Sequence, residues 1–268
     1  DELSNAMATG SHGALLMTDI NAGNAFIDVW SENYAILDLN GYTISFTKNG
    51  SIMGAQRSGK VIIGKGTIEV ANTDNKKGSY YVFECKGHSY NGDRNKTIIG
   101  KDVIVNAPNF YLANDGDGAC ATGYPWIRVY GTINVYHILT RSNDSNANPK
   151  IEFFEGCNVT LTGPRMVVDK ISNNNPNNKQ GFEIRIYGGT FNLPAEAATE
   201  AFWTIDNVST DTLTSANKDI IKIEGGTFIL PDNAVPAIAN YLTEDYIAVM
   251  GNTYDFVKNN RSDVTFEI

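Results

Sequence analysis

One short phrase recurs along this chain and admits few folds. Two alternating apolar residues are followed by a glycine bend, then a threonine or similar residue and another apolar pair. The clearest copies are Ile184-Arg-Ile-Tyr-Gly-Gly-Thr-Phe-Asn-Leu193 and Ile221-Lys-Ile-Glu-Gly-Gly-Thr-Phe-Ile-Leu230. Looser copies run from Leu37 to Ile44, Ile62 to Ile68, Ile98 to Ile104, Ile127 to Ile133 and Ile151 to Val159. Self-similarity at a period of roughly 20–50 residues marks a repeat architecture. The apolar residue after each bend gives a series of markers: Ile44, Ile68, Ile104, Ile133, Val159, Phe191 and Phe228, on average about 31 residues apart. The spacing varies, so constant strands are joined by surface loops that absorb the difference.

Each copy alternates with period two, which predicts strand and not helix. Ile184, Ile186, Phe191 and Leu193 are expected to face one way, and Arg185, Tyr187 and Asn192 the other. The Gly-Gly between the halves permits backbone angles closed to other residues, so the chain can turn a corner there. A third apolar run follows most copies: Tyr80 to Phe83, Phe110 to Leu112, His137 to Leu139, Met166 to Val168 and Phe202 to Ile205. Three strands per repeat, all running the same way round, describe a coil with three faces. Such coils stack at about 4.8 Å per rung, parallel strand on parallel strand. No single coil can bury its inner face, so neighbours must stack to make a core. The expected fold is all-β: a single-stranded parallel β-helix solenoid of about seven coils. These repeats resemble the right-handed, pectin-lyase-like β-helix group over nearly the whole chain, and the right hand comes from that resemblance. The Gly-Gly-Thr-Phe phrase is similar to one found in repeat proteins of gut bacteria and their phages.

A solenoid needs covered ends. Asp1 to Ala8 carries Leu3, Ala6 and Met7 in the pattern of a short amphipathic helix, and a strand, Ala14 to Met17, follows. At the other end Val235, Ile238, Ala239 and Leu242 have helical spacing. Tyr246 to Val249 and Tyr254 to Val257 flank Gly251-Asn252 as a closing hairpin. The tail from Pro231 to Val257 resembles the end of other Gly-Gly-Thr-Phe repeat proteins. The organisation read here is one domain: a cap helix and first strands over 1–34, the β-helix over 35–230, and a cap helix with a closing hairpin over 231–268. The Asn-rich stretch from Ser172 to Gln180 reads as a loop between coils.

Composition bounds the partners. The 268 residues carry a net charge of −9. Nucleic-acid binding, which needs a basic face, is not expected; nor is docking on anionic lipid. No apolar run reaches the length that spans a bilayer. The chain does not begin with Met and shows no secretory leader, so it reads as a processed product or an excised domain. Cys85, Cys120 and Cys157 lack metal-ligand spacing. Buried thiols are the ordinary reading, with one disulfide involving Cys120 left open.

Several motifs come close to a known chemistry and fall short. Gly54-Ala-Gln-Arg-Ser-Gly-Lys60 approaches the phosphate loop, but Val61 stands where the Mg²⁺-binding hydroxyl belongs and a strand follows instead of a helix. Asn114-Asp-Gly-Asp-Gly118 offers carboxylates to calcium without the further ligands of a complete loop. His12, His88 and His137 have no partner at ligand spacing. No G-x-S-x-G is present. No cofactor and no metal are expected. Asn72-Thr-Asp74 and Gly87-His88-Ser89 echo two motifs of the pectin-cleaving hydrolases that the fold resembles. The paired aspartates and the basic element of that family are absent, so no catalytic residue carries over.

The candidate site is one arrangement of residues. Glu84, Asp115, Asp169 and Asp206 end several third strands and are expected to stack as an acidic ladder near Trp203, suited to a glycan or a cation, or to work as an acid/base pair. The long polar loops leave the same strand, and insertions confined to one face often mark a binding face. Tyr90, Tyr124 and Trp126 are expected to supply aromatic surface there. The leading functional expectation is a non-enzymatic structural or attachment protein of a phage virion: a head fibre, decoration or tail-associated β-helix. It would contact host-surface glycan or other virion proteins and be located at the virion surface or extracellularly. The alternatives are a bacterial surface adhesin or glycan-binding module, and a polysaccharide lyase or hydrolase. β-Helix spikes often trimerise, which makes a homotrimer one assembly to expect, although the sequence holds no coiled-coil heptads.

Overall fold

Leu37, Leu39, Ile44 and Phe46 have almost no exposed surface, while Asp38, Thr43 and Ser45 between them stay in contact with water. That alternation is what a pleated strand imposes when one side faces a core. In a computed structural model, residues 3, 6–7, 13–29, 35–55, 59–84, 96–115, 126–141, 150–163, 166–169, 183–194, 203–206, 221–229, 246–250 and 254–258 are described.

The strands come in threes. The first circuits are β1 (Gly13–Leu15), β2 (Ile20–Gly23) and β3 (Ile27–Val29); β4 (Ala35–Asp38), β5 (Thr43–Thr47) and β6 (Met53–Ala55); β7 (Lys60–Ile63), β8 (Gly66–Ala71) and β9 (Phe83–Glu84). Next come β10 (Lys96–Ile99) with β11 (Val103–Asp115), and β12 (Trp126–Val129) with β13 (Thr132–Arg141). They are followed by β14 (Lys150–Phe153), β15 (Asn158–Leu161) and β16 (Met166–Asp169); β17 (Glu183–Ile186), β18 (Thr190–Asn192) and β19 (Trp203–Asp206); then β20 (Ile221–Ile223), β21 (Gly226–Ile229), β22 (Tyr246–Met250) and β23 (Tyr254–Lys258).

Each strand pairs with its counterpart one circuit away. The first sheet runs β1-β4-β7-β10-β12-β14-β17-β20, and the second runs β2-β5-β8-β11-β13-β15-β18-β21 before β23 and β22. A shorter third sheet joins β3, β6 and β9. Tyr81 bridges it to Tyr111 in the far half of β11, and β16 and β19 extend the far half of β13. All these pairings are parallel; β23 alone pairs antiparallel, with β21 and β22. The molecule is therefore all-β, with parallel strands in stacked sheets, an arrangement compatible with a parallel β-helix. Leu3, Ala6 and Met7 are the helical residues among those described, and Met7 is buried in the core. The expected helix over 234–242 lies outside the described residues. No helix among the described residues is long and apolar enough to cross a membrane.

The core runs the length of this stack. Ile44, Ile68, Val105, Ile133, Val159, Phe191 and Phe228 are consecutive register partners, and none is more than 1% exposed. Phe191 stacks on Phe228 with ring centres 4.8 Å apart. Each such side chain contributes about 1.5–3 kcal/mol by leaving water. One marker from the sequence is corrected. Ile104 pairs with Thr67 and is 42% exposed; the rung is filled by Val105. The copy at Ile98 was aligned on its glycine, but Gly100 follows Ile99 as Ile63 follows Ile62, so the true equivalent of Gly66 is Val103. With a period of two, a slip of one residue exchanges inside for outside.

The corner between the first and second sheets varies in length while the strands stay in register. Phe154, Tyr187 and Glu224 donate their amides to the carbonyls of Val129, Phe153 and Ile186, and Asn158, Thr190 and Thr227 donate theirs to Gly131, Cys157 and Gly189. Between those fixed points Tyr130 runs directly into Gly131, Glu155 and Gly156 separate Phe154 from Cys157, and Gly188 alone separates Tyr187 from Gly189. Gly189 and Gly226 have φ of 103° and 106°, values that L side chains rarely adopt.

Candidate functional site

The structure brings together some of the residues that the sequence grouped. Asp115, Arg141, Asp169 and Asp206 are register neighbours at the ends of β11, β13, β16 and β19. The row of acids is thus interrupted by an arginine. Glu84 ends β9, and Trp203 opens β19 as the partner of Met166. Trp126 does not join them: it opens β12 on the first sheet, paired with Lys96 and Lys150. Tyr90 and Tyr124 lie outside the described residues, as do His12, His88, Cys85 and Cys120.

A second set of residues, missed in the sequence, is assembled by the outer face of the first sheet. One column reads Ile36, Val61, Ile98, Arg128, Glu152, Arg185, Lys222. It changes character halfway. The early rungs are aliphatic, with Ile36 41% exposed, and the later rungs are charged. Arg128 Nε donates to Glu152 Oε2 at 2.6 Å, Tyr187 OH donates to Glu152 Oε1 at 3.3 Å, and Arg185 pairs with Glu224. The Arg128 guanidinium lies 4.1 Å from the Trp126 ring centre, and Lys96 Nζ lies 5.1 Å from it. In the adjoining column Tyr130, Phe154 and Tyr187 stack, with ring centres 4.4 and 5.0 Å apart. Parallel in-register strands bring about this stacking, since they hold equivalent side chains one rung apart. Burial, then the Glu152 carboxylate, pushes the Tyr187 hydroxyl above its ordinary pKa.

Beside this ladder the corner opens into a groove of about 620 Å³. Its floor is the two Gly-Gly-Thr copies, Gly188 to Thr190 and Gly226-Thr227; its walls are Glu155 to Asn158 and Tyr187. The relief follows from corner length: one more residue in the corner at Glu155 than at Gly188 raises a step. Cys157 lines the groove as a buried free thiol, and burial pushes its pKa up to about 12. It holds no useful thiolate at neutral pH. The aligned outward columns would have shown these residues in the sequence, because the copies at Ile127, Ile151, Ile184 and Ile221 place Arg, Glu, Arg and Lys at one offset.

The near-motifs resolve into scaffold. Asn72 donates to Asp74 Oδ1 at 2.9 Å and to the Lys76 carbonyl at 2.7 Å, and Tyr80 OH donates to Asp74 Oδ2 at 2.7 Å. The Tyr80 hydrogen bond is the largest cause that lowers the Asp74 carboxyl to about 2. This hydrolase-like triplet thus staples its own loop. Gly54 lies within β6, and Lys60 opens β7 fully buried, its Nζ 5.8 Å from the Phe83 ring centre. His137 is 4% exposed and stacks on Tyr136. Among the described residues no group of three or more His, Cys, Asp or Glu side chains is placed to hold a metal ion. No family model, curated protein or solved structure matches the chain.

Proposed function

We propose that this chain is a right-handed parallel β-helix of the Gly-Gly-Thr-Phe type with helical caps, and that it serves as a non-enzymatic structural or attachment protein of a phage virion, contacting surface glycan. Among the described residues the first sheet holds eight strands, which supports a reading of about seven coils. A right-handed course is what parallel crossover connections adopt almost without exception. The observation that carries the binding reading is the aromatic and charged ladder from Trp126 to Tyr187 with the groove beside it. It forms on a stacked scaffold whose rungs hold each side chain in place, so little ordering would accompany contact. Immunogold labelling of purified particles with an antibody to this chain should decorate them. Absence of the chain from particle proteomics would remove the virion assignment, and a blank glycan array would remove the glycan contact.

One observation favours a second reading. Asp169 and Asp206 are direct register partners at the ends of β16 and β19. Glycoside hydrolysis uses a pair of carboxylates. A polysaccharide-cleaving activity would release reducing ends from capsular or plant polysaccharides and would be lost in Asp169→Ala and Asp206→Ala.

A further inference from the structure

We infer that the corner groove is a saccharide subsite that takes a neutral, hydroxyl-rich sugar unit and excludes acidic ones; this rests on the glycan-contacting reading above. The groove occurs where both complete Gly-Gly-Thr copies come together, which gives the repeated phrase a role beyond turning the chain. Two of its floor positions have to be glycine. A Cβ on Gly188 would sit 3.0 Å from Glu155 Cα, and one on Gly189 would overlap the Cys157 sulfur at a φ of 103°. Glycine there lets the neighbouring rung pack closely and leaves bare backbone between Thr190 and Thr227.

The groups around the floor are those a polyol would meet. Thr190 and Thr227 are register partners and stand one rung apart. Asn158 is exposed, and its Oδ1 accepts from Asn192 Nδ2 at 3.1 Å, which orients the amide with its own N–H groups available to an acceptor. Glu155 is exposed on the step above. Hydroxyl, amide and carboxylate groups on one side and the half-buried Tyr187 ring on the other match the mixed polar and apolar surface of a pyranose. A volume of about 620 Å³ is in the range of small-ligand sites and admits a short oligosaccharide segment. Charge sets the class. Arg185 and Glu224 pair with each other outside the groove lining, and Glu155 is the carboxylate of the lining itself. On a chain of net charge −9 a uronate or sialate would meet like charge there.

The test is calorimetric titration of the whole chain with neutral trisaccharides (maltotriose, chitotriose) and with trigalacturonate. A neutral trisaccharide is expected to bind, and Thr190→Val/Thr227→Val, which removes two hydroxyls from the floor, should weaken it about tenfold. The matched control Thr43→Val/Thr67→Val, in the same column but remote from the groove, should leave affinity unchanged. Glu155→Gln should admit trigalacturonate, which the unaltered chain rejects. Equal thermal midpoints for the two double variants establish that any loss is local. Glycan binding that survives Thr190→Val/Thr227→Val and Asn158→Ala would overturn the groove and leave the attachment reading standing. Tighter binding of trigalacturonate by the unaltered chain would overturn the ligand class. Absence of binding to every saccharide, on the array as well, would overturn both.

Discussion

Val105 and Ile104 differ by one position and face opposite media, which makes them the sharpest test of the register. Val105→Ala, emptying a fully buried place in the stack, should lower stability by about 2 kcal/mol in urea denaturation. Ile104→Ala, on the wet side, should change it by no more than about 0.5 kcal/mol. The reverse order would place the sequence-derived marker back inside. Asp74 gives a second residue-level expectation. Its carboxyl is lowered from 3.8 to about 2, first by the Tyr80 hydroxyl, so its ionised form is favoured in the folded chain. The sign follows: this contribution is fully present above the ordinary carboxylate pKa and is lost as pH falls from about 3.8 through about 2. Tyr80→Phe should move the Asp74 titration, followed by carboxyl NMR, back up toward the ordinary range. An unmoved titration would mean that the hydroxyl does not hold it.

The outer ladder of the first sheet mixes two kinds of contact with different worth. Phe154 is stacked between Tyr130 and Tyr187, and such aromatic pairs add about 0.5–1.5 kcal/mol beyond burial. Arg128, with 39% of its side chain exposed, makes an ion pair of the class worth about 0.2–1 kcal/mol. Phe154→Ala should therefore destabilise more than Arg128→Met, and only the Arg128 effect should shrink when the denaturation is repeated in 1 M salt, where the screening length is about 3 Å. Strand-level features were legible in the sequence where period-two alternation was clean: Leu37 to Phe46, Ile127 to Val135 and Ile184 to Phe191 face inward and outward as their pattern requires. The copy at Ile98 misled because its Gly100 matches Gly64 by eye, while the corner place of Gly66 is held by Val103. The acidic strand ends were found as a row, but Arg141 in that row and the placement of Trp126 on another sheet were not. Both depend on which residues of different rungs become neighbours, and a single copy of the repeat says nothing about that. The groove was hidden for a related reason: it comes from a difference in length between consecutive corners.

Across the whole molecule, contacts run from each circuit to its neighbours, so stability is expected to behave as a chain of local terms joined by interfaces. Hydrogen exchange should show the amides of Tyr130 and Phe154, bonded to Ile99 and Val129 in the middle of the stack, as slower than that of Leu193, bonded to Ile229 near its end. Uniform protection would instead indicate one all-or-none unit. The corner at Tyr130-Gly131, where no residue intervenes, is a notch between longer corners. Because the strands on either side are held by their own ladders, two residues inserted there would alter the silhouette and leave the spine as it is. A lineage could thus reshape its outer relief by lengthening or trimming bends, never rewriting its interior.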